Sequence, residues 1–230
     1  MRVALWLLVS LFSWLPAVAA ETTWVEGQHY FVIEPAQAIH VPAGKIELVE
    51  VFSYACPACN LYNPLINKLK AQLPAKAQLT YLPASWHPEE DWKTFQRAFF
   101  AAQSLGLLER THDALFDAIW KSGELAIMDA ETNRPRHLLP TIAEAAKWYA
   151  KATQITPEAF LAAAQSFSVD ALMRQADEQI KAYQADGTPT IIVNGRYRLT
   201  PRSAGSDEQF ISLVMWLVSK EMSHPLVTPR

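Results

Sequence analysis

The chain holds two cysteines, and they stand together as Cys56-Pro57-Ala58-Cys59. Two cysteines placed at random in a chain this long would fall at such a spacing in about one case in a hundred. A structural disulfide gains most by closing a long loop, and this ring is too short to gain much. Half of a zinc site would need two further ligands at suitable spacing. There is no second cysteine pair, and His29, His40, His87, His112, His137 and His224 are scattered along the chain. They read as surface or singly hydrogen-bonded residues, and no metal or other cofactor is expected. What two adjacent thiols can do without a metal is exchange disulfides.

That exchange needs a thiolate, because the thiolate is both the attacking and the better leaving species. Proline is favoured at the first position of a helix, so Pro57 makes Cys56 the N-cap. The Cys56 sulfur then faces the free N–H groups of Ala58 and Cys59 at the positive helix end, which favours the ionised form. Cys59 falls about one turn in, beneath Cys56, placed to resolve a mixed disulfide by intramolecular attack. Glu50 comes six residues before Cys56. By strand alternation it shares a face with Ile46, Leu48 and Phe52, where a carboxylate is costly unless paired, hydrogen-bonded or protonated. It either trades a proton with Cys59 or is a structural acid paired with a lysine.

The elements around this pair are legible from periodicity. Residues 45–54 (KIELVEVFSY) read as a largely buried strand. Leu61, Leu65, Leu69 and Leu73 recur every fourth residue, marking the buried face of a helix that ends before Pro74. Residues 78–86 (QLTYLPASW) suggest a second strand. The middle of the chain is helical: one stripe is Trp92, Phe95, Phe99 and Ala102, another is Leu115, Ile119 and Trp120. Residues 124–136 read as a connecting loop, and Trp148 to Ala152 as part of a further helix. Thr156-Pro157 caps the next one, and a long stripe runs from Val169 to Tyr183. Strand character returns at 190–194 and 197–200 around Asn194-Gly195, a hairpin signal. A last helix begins at Ser206, with Gln209 completing a capping box and Phe210, Leu213, Val214 and Leu217 buried.

Half of the residues are hydrophobic and 19% are charged, an ordinary globular composition. The net charge of −3 and the absence of basic blocks disfavour nucleic-acid binding. Arg2, an apolar run from Val3 to Leu15, Pro16 and the small residues Ala17-Val18-Ala19-Ala20 have the layout of a cleaved secretory signal. The expected outcome is an exported, soluble chain.

With those motifs in hand, residues 50–59 (EVFSYACPAC) resemble the active-site segment of the DsbA family, periplasmic disulfide-forming proteins of Gram-negative bacteria. Residues 187–199 (GTPTIIVNGRYRL) are similar to the segment that carries the family's cis-proline. The resemblance implies an α/β chain: a thioredoxin fold with an inserted all-helical domain. It divides the sequence into a signal peptide (1–20), the first part of the thioredoxin fold (21–88), the helical insertion (89–185) and the second part (186–230). It further implies that Cys56 is the exposed nucleophile, with a depressed pKa as in thioredoxin and DsbA themselves. Cys59 becomes its buried partner, Glu50 the buried acid below the disulfide, Pro64 a helix-kinking proline and Pro189 the cis-proline. Thr188 becomes the residue whose backbone pairs with an extended substrate. Ala58 stands where many members have histidine, and Thr188 where valine is common.

The implied activity is the introduction of disulfides into newly exported proteins with free thiols. Reoxidation would come from a DsbB-like quinone-linked membrane protein, and a monomer is expected. A reductase or isomerase of the same compartment is the alternative. Isomerases there usually carry a dimerisation domain, and none precedes Ile46. A thioredoxin-fold chaperone is a third reading, opposed by the intact Cys56, Cys59 and Pro189.

Overall fold

The structure, a computed structural model, describes residues 23–223, so the expected signal peptide lies outside it. Among the described residues five strands form one mixed sheet: β1 (Phe31–Val32), β2 (Ile46–Phe52), β3 (Ala77–Pro83), β4 (Thr190–Val193) and β5 (Tyr197–Leu199). Their order across the sheet is β1-β5-β4-β2-β3. β2 is parallel to β3 and antiparallel to β4, and it is buried along its whole length. A central strand covered on both faces needs this apolar run, which explains why it reads so clearly in the sequence.

Between β2 and β3 runs α1 (Pro57–Gln72), with Pro64 inside it. Its buried residues are Cys59, Leu65, Ile66 and Leu69. Leu61, expected on that face, is 72% exposed. An every-fourth-residue row drifts about 40° per step around a helix, so Leu61 lies about 140° from Ile66. Leu65, Ile66 and Leu69 join Leu48, Ile191 and Val193 of the sheet in one apolar cluster. The same cluster takes in Phe210, Leu213, Val214 and Leu217 of α8 (Asp207–Ser223). Ser206 Oγ accepts the Gln209 N–H at 3.3 Å at the start of that helix, one of the two bonds of the expected capping box.

The chain between β3 and β4 is a helical insertion: α2 (Trp92–Ser104), α3 (Leu108–Trp120), α4 (Ile142–Thr153), α5 (Pro157–Ala164) and α6 (Phe167–Ala182). Thr156 caps α5 by accepting the Ala159 N–H at 3.2 Å, with Pro157 at the first position. The insertion and the other face of the sheet share a second cluster, in which Val49, Val51 and Ile192 meet Phe95, Phe99, Met173 and Ile180. Phe52, expected beside Glu50 and Leu48, instead packs at the strand end with Tyr54, Phe99, His112 and Phe116.

β4 and β5 are joined at Asn194-Gly195, both in the left-handed region with φ of 52° and 65°. Glycine is required at the second position for space as well, since a Cβ there would run into the Gln37 carbonyl. Three features had no sequence expectation: the short edge strand β1, the cis peptide Glu34–Pro35, and the short helix α7 (Pro201–Ala204) before α8.

Candidate active site

The site forms where β2 stops and α1 starts. The turn between them is closed by Ser53, whose hydroxyl accepts the Ala55 N–H and whose carbonyl accepts the Cys56 N–H, each at 3.2 Å. The insertion pins it from outside, because Trp120 Nε1 donates to the Tyr54 carbonyl at 2.7 Å. Cys56 is the extended N-cap of α1, Pro57 opens the helix, and the Cys59 N–H points at Cys56 Sγ at 3.5 Å. Before β4, the Thr188–Pro189 bond is cis, and the Thr188 carbonyl oxygen lies 3.7 Å from Cys56 Sγ.

Both thiols are free. Cys56 retains 6% of its accessible surface and Cys59 none. Cys56 is thus more enclosed than its expected role as an exposed nucleophile suggested, because the Thr188 loop lies against its sulfur. It is nonetheless the member of the pair that solvent reaches.

Electrostatics separate the two sulfurs further. A hydrogen bond from the Cys59 thiol is the main reason the Cys56 pKa falls to about 6, against the opposing effect of burial. The Thr188 side chain and the N–H groups of Cys59 and Ala58 add to the same shift. Burial, then the neighbouring Cys56, raises Cys59 well above the ordinary thiol range. The pair therefore holds one proton at neutral pH, and holds it on the inner sulfur. Thiolate ultraviolet absorbance of the reduced protein should rise with a midpoint near pH 6. A midpoint in the ordinary cysteine range would remove the argument for a stabilised Cys56 thiolate.

Beneath the cysteines Glu50 is 2% exposed, paired in register with Tyr81 of β3 and Ile191 of β4. Among the described residues no ion pair reaches it, so the alternative of a structural acid paired with a lysine finds no partner there. Burial pushes its carboxyl up to about 8, with Asp113 and then Cys56 adding to the rise. Asp113, on α3, is held by the side-chain amides of Asn63 and Asn67 of α1 at 3.0 and 3.1 Å. Next to it, His112 Nδ1 bonds the Tyr54 hydroxyl at 2.8 Å, and burial lowers its pKa to about 4.

The structure thus gathers Cys56, Pro57, Ala58, Cys59, Thr188 and Pro189 at one end of the sheet, with Glu50 below. Sequence reasoning did not find Ser53, Trp120, Asp113 or the His112–Tyr54 pair. The first is a common turn residue, and the others act across 46 to 66 residues of chain. No local pattern encodes such contacts.

A cysteine pair at a helix start, facing a cis-proline on a mixed sheet, defines a dithiol–disulfide oxidoreductase of the thioredoxin fold, here with a helical insertion. Residues 66–211 match the DSBA-like thioredoxin domain. The thiol:disulfide interchange protein DsbA of Azotobacter vinelandii is 34% identical over 187 residues, 80% of each chain. That of Pseudomonas aeruginosa is 31% identical over 214 residues, 93% of each. The crystal structure of oxidoreductase DsbA from Xylella fastidiosa superposes with a TM-score of 0.74 at 31% identity, covering 86% of this chain and 98% of that one. The chain belongs to the DsbA family of protein thiol:disulfide oxidoreductases, which introduce disulfide bonds.

Proposed function

We propose that the protein oxidises newly exported polypeptides in the periplasm through a Cys56–Cys59 disulfide. A substrate thiolate attacks Cys56 Sγ, forming a mixed disulfide and releasing Cys59 as a thiolate that takes up a proton. The substrate's second thiolate then attacks its own sulfur in that mixed disulfide. Its disulfide forms, Cys56 leaves as thiolate, and the protein ends reduced by two electrons. The observation that carries this direction is the depressed Cys56 thiol, since a stable leaving thiolate favours the reduced protein and makes the disulfide oxidising. At pH 7 a shift from 9 to about 6 corresponds to ~1.4 kcal/mol, about 30 mV for a two-electron couple.

Further roles follow from position. Glu50 exchanges a proton with Cys59, supported by its burial and by the effect of its charge on the Cys59 thiol. Thr188 pairs its backbone with an extended substrate segment, and Pro189 holds Thr188 beside the sulfur. Pro57 and Ala58 set the helix start. Family membership supports export by a cleaved signal at residues 1–20, reoxidation by a quinone-linked membrane protein of the DsbB type, and a monomeric state.

The test is equilibration against glutathione. The expected potential lies between that of thioredoxin, about −270 mV, and that of DsbA, about −120 mV. Ala58→His, which adds a donor beside the Cys56 thiolate, should raise it by about 30–60 mV, the equivalent of one charge-assisted hydrogen bond. A potential at or below thioredoxin's would make the reductase reading the better one.

A further inference from the structure

Next to Cys56, on the side of the insertion, lies a cleft of about 100 Å³. It is walled by Ala55 and Pro57 of the active-site turn and by Trp120, Ile127, Met128 and Leu139 of the insertion. Two polar groups at these walls are engaged by other partners. Trp120 Nε1 is engaged by the Tyr54 carbonyl at 2.7 Å. Glu90, the charged residue at the cleft, accepts Trp92 Nε1 at 3.1 Å.

Residues 124–136, which read as a plain connecting loop, are folded back on themselves to build one wall. The Arg136 N–H donates to the Ile127 carbonyl at 2.9 Å and the Asp129 N–H to the Arg134 carbonyl at 2.8 Å. The Asp129 side chain closes the turn by accepting the Thr132 N–H and hydroxyl, each at 2.8 Å. This bonding holds Ile127, Met128 and Pro135 against the active-site turn, so the cleft is preformed. Leu138, the chain neighbour of Leu139, stands 85% exposed.

We infer that this cleft is a subsite for one aliphatic side chain of the substrate polypeptide, from a residue next to the cysteine that joins Cys56. The inference rests on the reading that substrate is held at Cys56 as a mixed disulfide. Ala55 and Pro57 are the chain neighbours of Cys56, so a polypeptide bonded there passes over the cleft. Thr188, whose carbonyl lies 3.7 Å from the sulfur, is not among the residues that line the cleft. Size sets the chemistry of the occupant. An apolar cavity of about 150 Å³ admits benzene, so one of this volume suits valine, leucine, isoleucine or methionine and excludes tryptophan. A carboxylate there would lose its water with no partner in return.

The experiment compares two-cysteine peptides that carry leucine, serine or aspartate immediately before or immediately after the attacking cysteine. Their second-order rates of oxidation are measured with wild-type protein and with Met128→Trp and Leu139→Asp, the first filling the cleft and the second charging its wall. Dithiothreitol, which has no side chain to dock, reports the thiol chemistry alone, and melting curves report the fold. Leucine in one of the two positions should raise the wild-type rate about tenfold over aspartate, ~1.4 kcal/mol. The preference should shrink to less than about twofold in both variants. Equal wild-type rates for all peptides, or a preference that survives both folded variants, would overturn the subsite. Wild-type protein that oxidises dithiothreitol and no peptide would overturn the substrate reading instead.

Discussion

Cys56→Ser should lose disulfide transfer to background, whereas Cys59→Ser should keep its nucleophile and accumulate mixed disulfides that it cannot resolve. The asymmetry follows from the geometry: the Cys56 sulfur is the one solvent reaches, and Cys59 is wholly enclosed. A positioned thiol acts on a neighbouring disulfide with an effective molarity of up to about 10⁵ M or more, and serine at position 59 removes that route. Cys59→Ser should also change how Cys56 titrates. The Cys59 thiol is the main cause of the depressed Cys56 pKa, so the remaining thiol should titrate differently from the wild-type value near 6. Non-reducing electrophoresis and mass spectrometry with a thiol-containing client read the first effect, and thiolate absorbance reads the second. Alkylation of the reduced wild type at limiting reagent should label Cys56 first. Labelling of Cys59 first would exchange the two assignments.

Glu50→Gln should stabilise the reduced protein at neutral pH by about 3 kcal/mol. The Glu50 carboxyl titrates near 8 in the folded chain against an ordinary 4.5. Between those values the folded state holds a proton that the unfolded state has released. Stability is therefore fully present below the unfolded pKa and falls as pH rises toward 8, by ~1.4 kcal/mol per unit. Glutamine has the same shape and does not ionise, so the variant escapes that loss. Urea unfolding of both proteins from pH 4 to 8 should show curves that meet at the acid end and separate steadily above it. Parallel curves across the range would mean that Glu50 ionises as an ordinary surface acid.

The sequence showed these two sites unequally. Cys56 and Cys59 were legible because helix-start chemistry is local: strand, proline and cysteine spacing sit within a dozen residues. Glu50 was legible as an anomaly, a charge on an apolar strand, though its lack of a cation among the described residues was not. Its neighbours Asp113 and Tyr81 reach it only through the packing of α3 and the register of β3. The sheet's central strands read clearly because burial on both faces leaves a mostly apolar run, broken in β2 by Glu47 and Glu50. β1 did not, since two residues at an edge carry no period. The stripe through Leu61 misled because four-residue spacing approximates a helix face over one turn and leaves it over three. Residues 124–136 lack periodicity, and backbone bonds give them order that no side-chain pattern announces.

The apolar cluster on the insertion side is made jointly by Val49, Val51, Phe52 and Ile192 of the sheet and by the helices between β3 and β4. Neither part closes this cluster alone. Deleting α2–α6 would leave the middle strands wet on one face, and the helices expressed alone would lack the surface on which they pack. The insertion is thus not an exchangeable module. The chain should melt as one cooperative body, and a destabilising change in α5 or α6 should be felt at the cysteines as fully as one in β2.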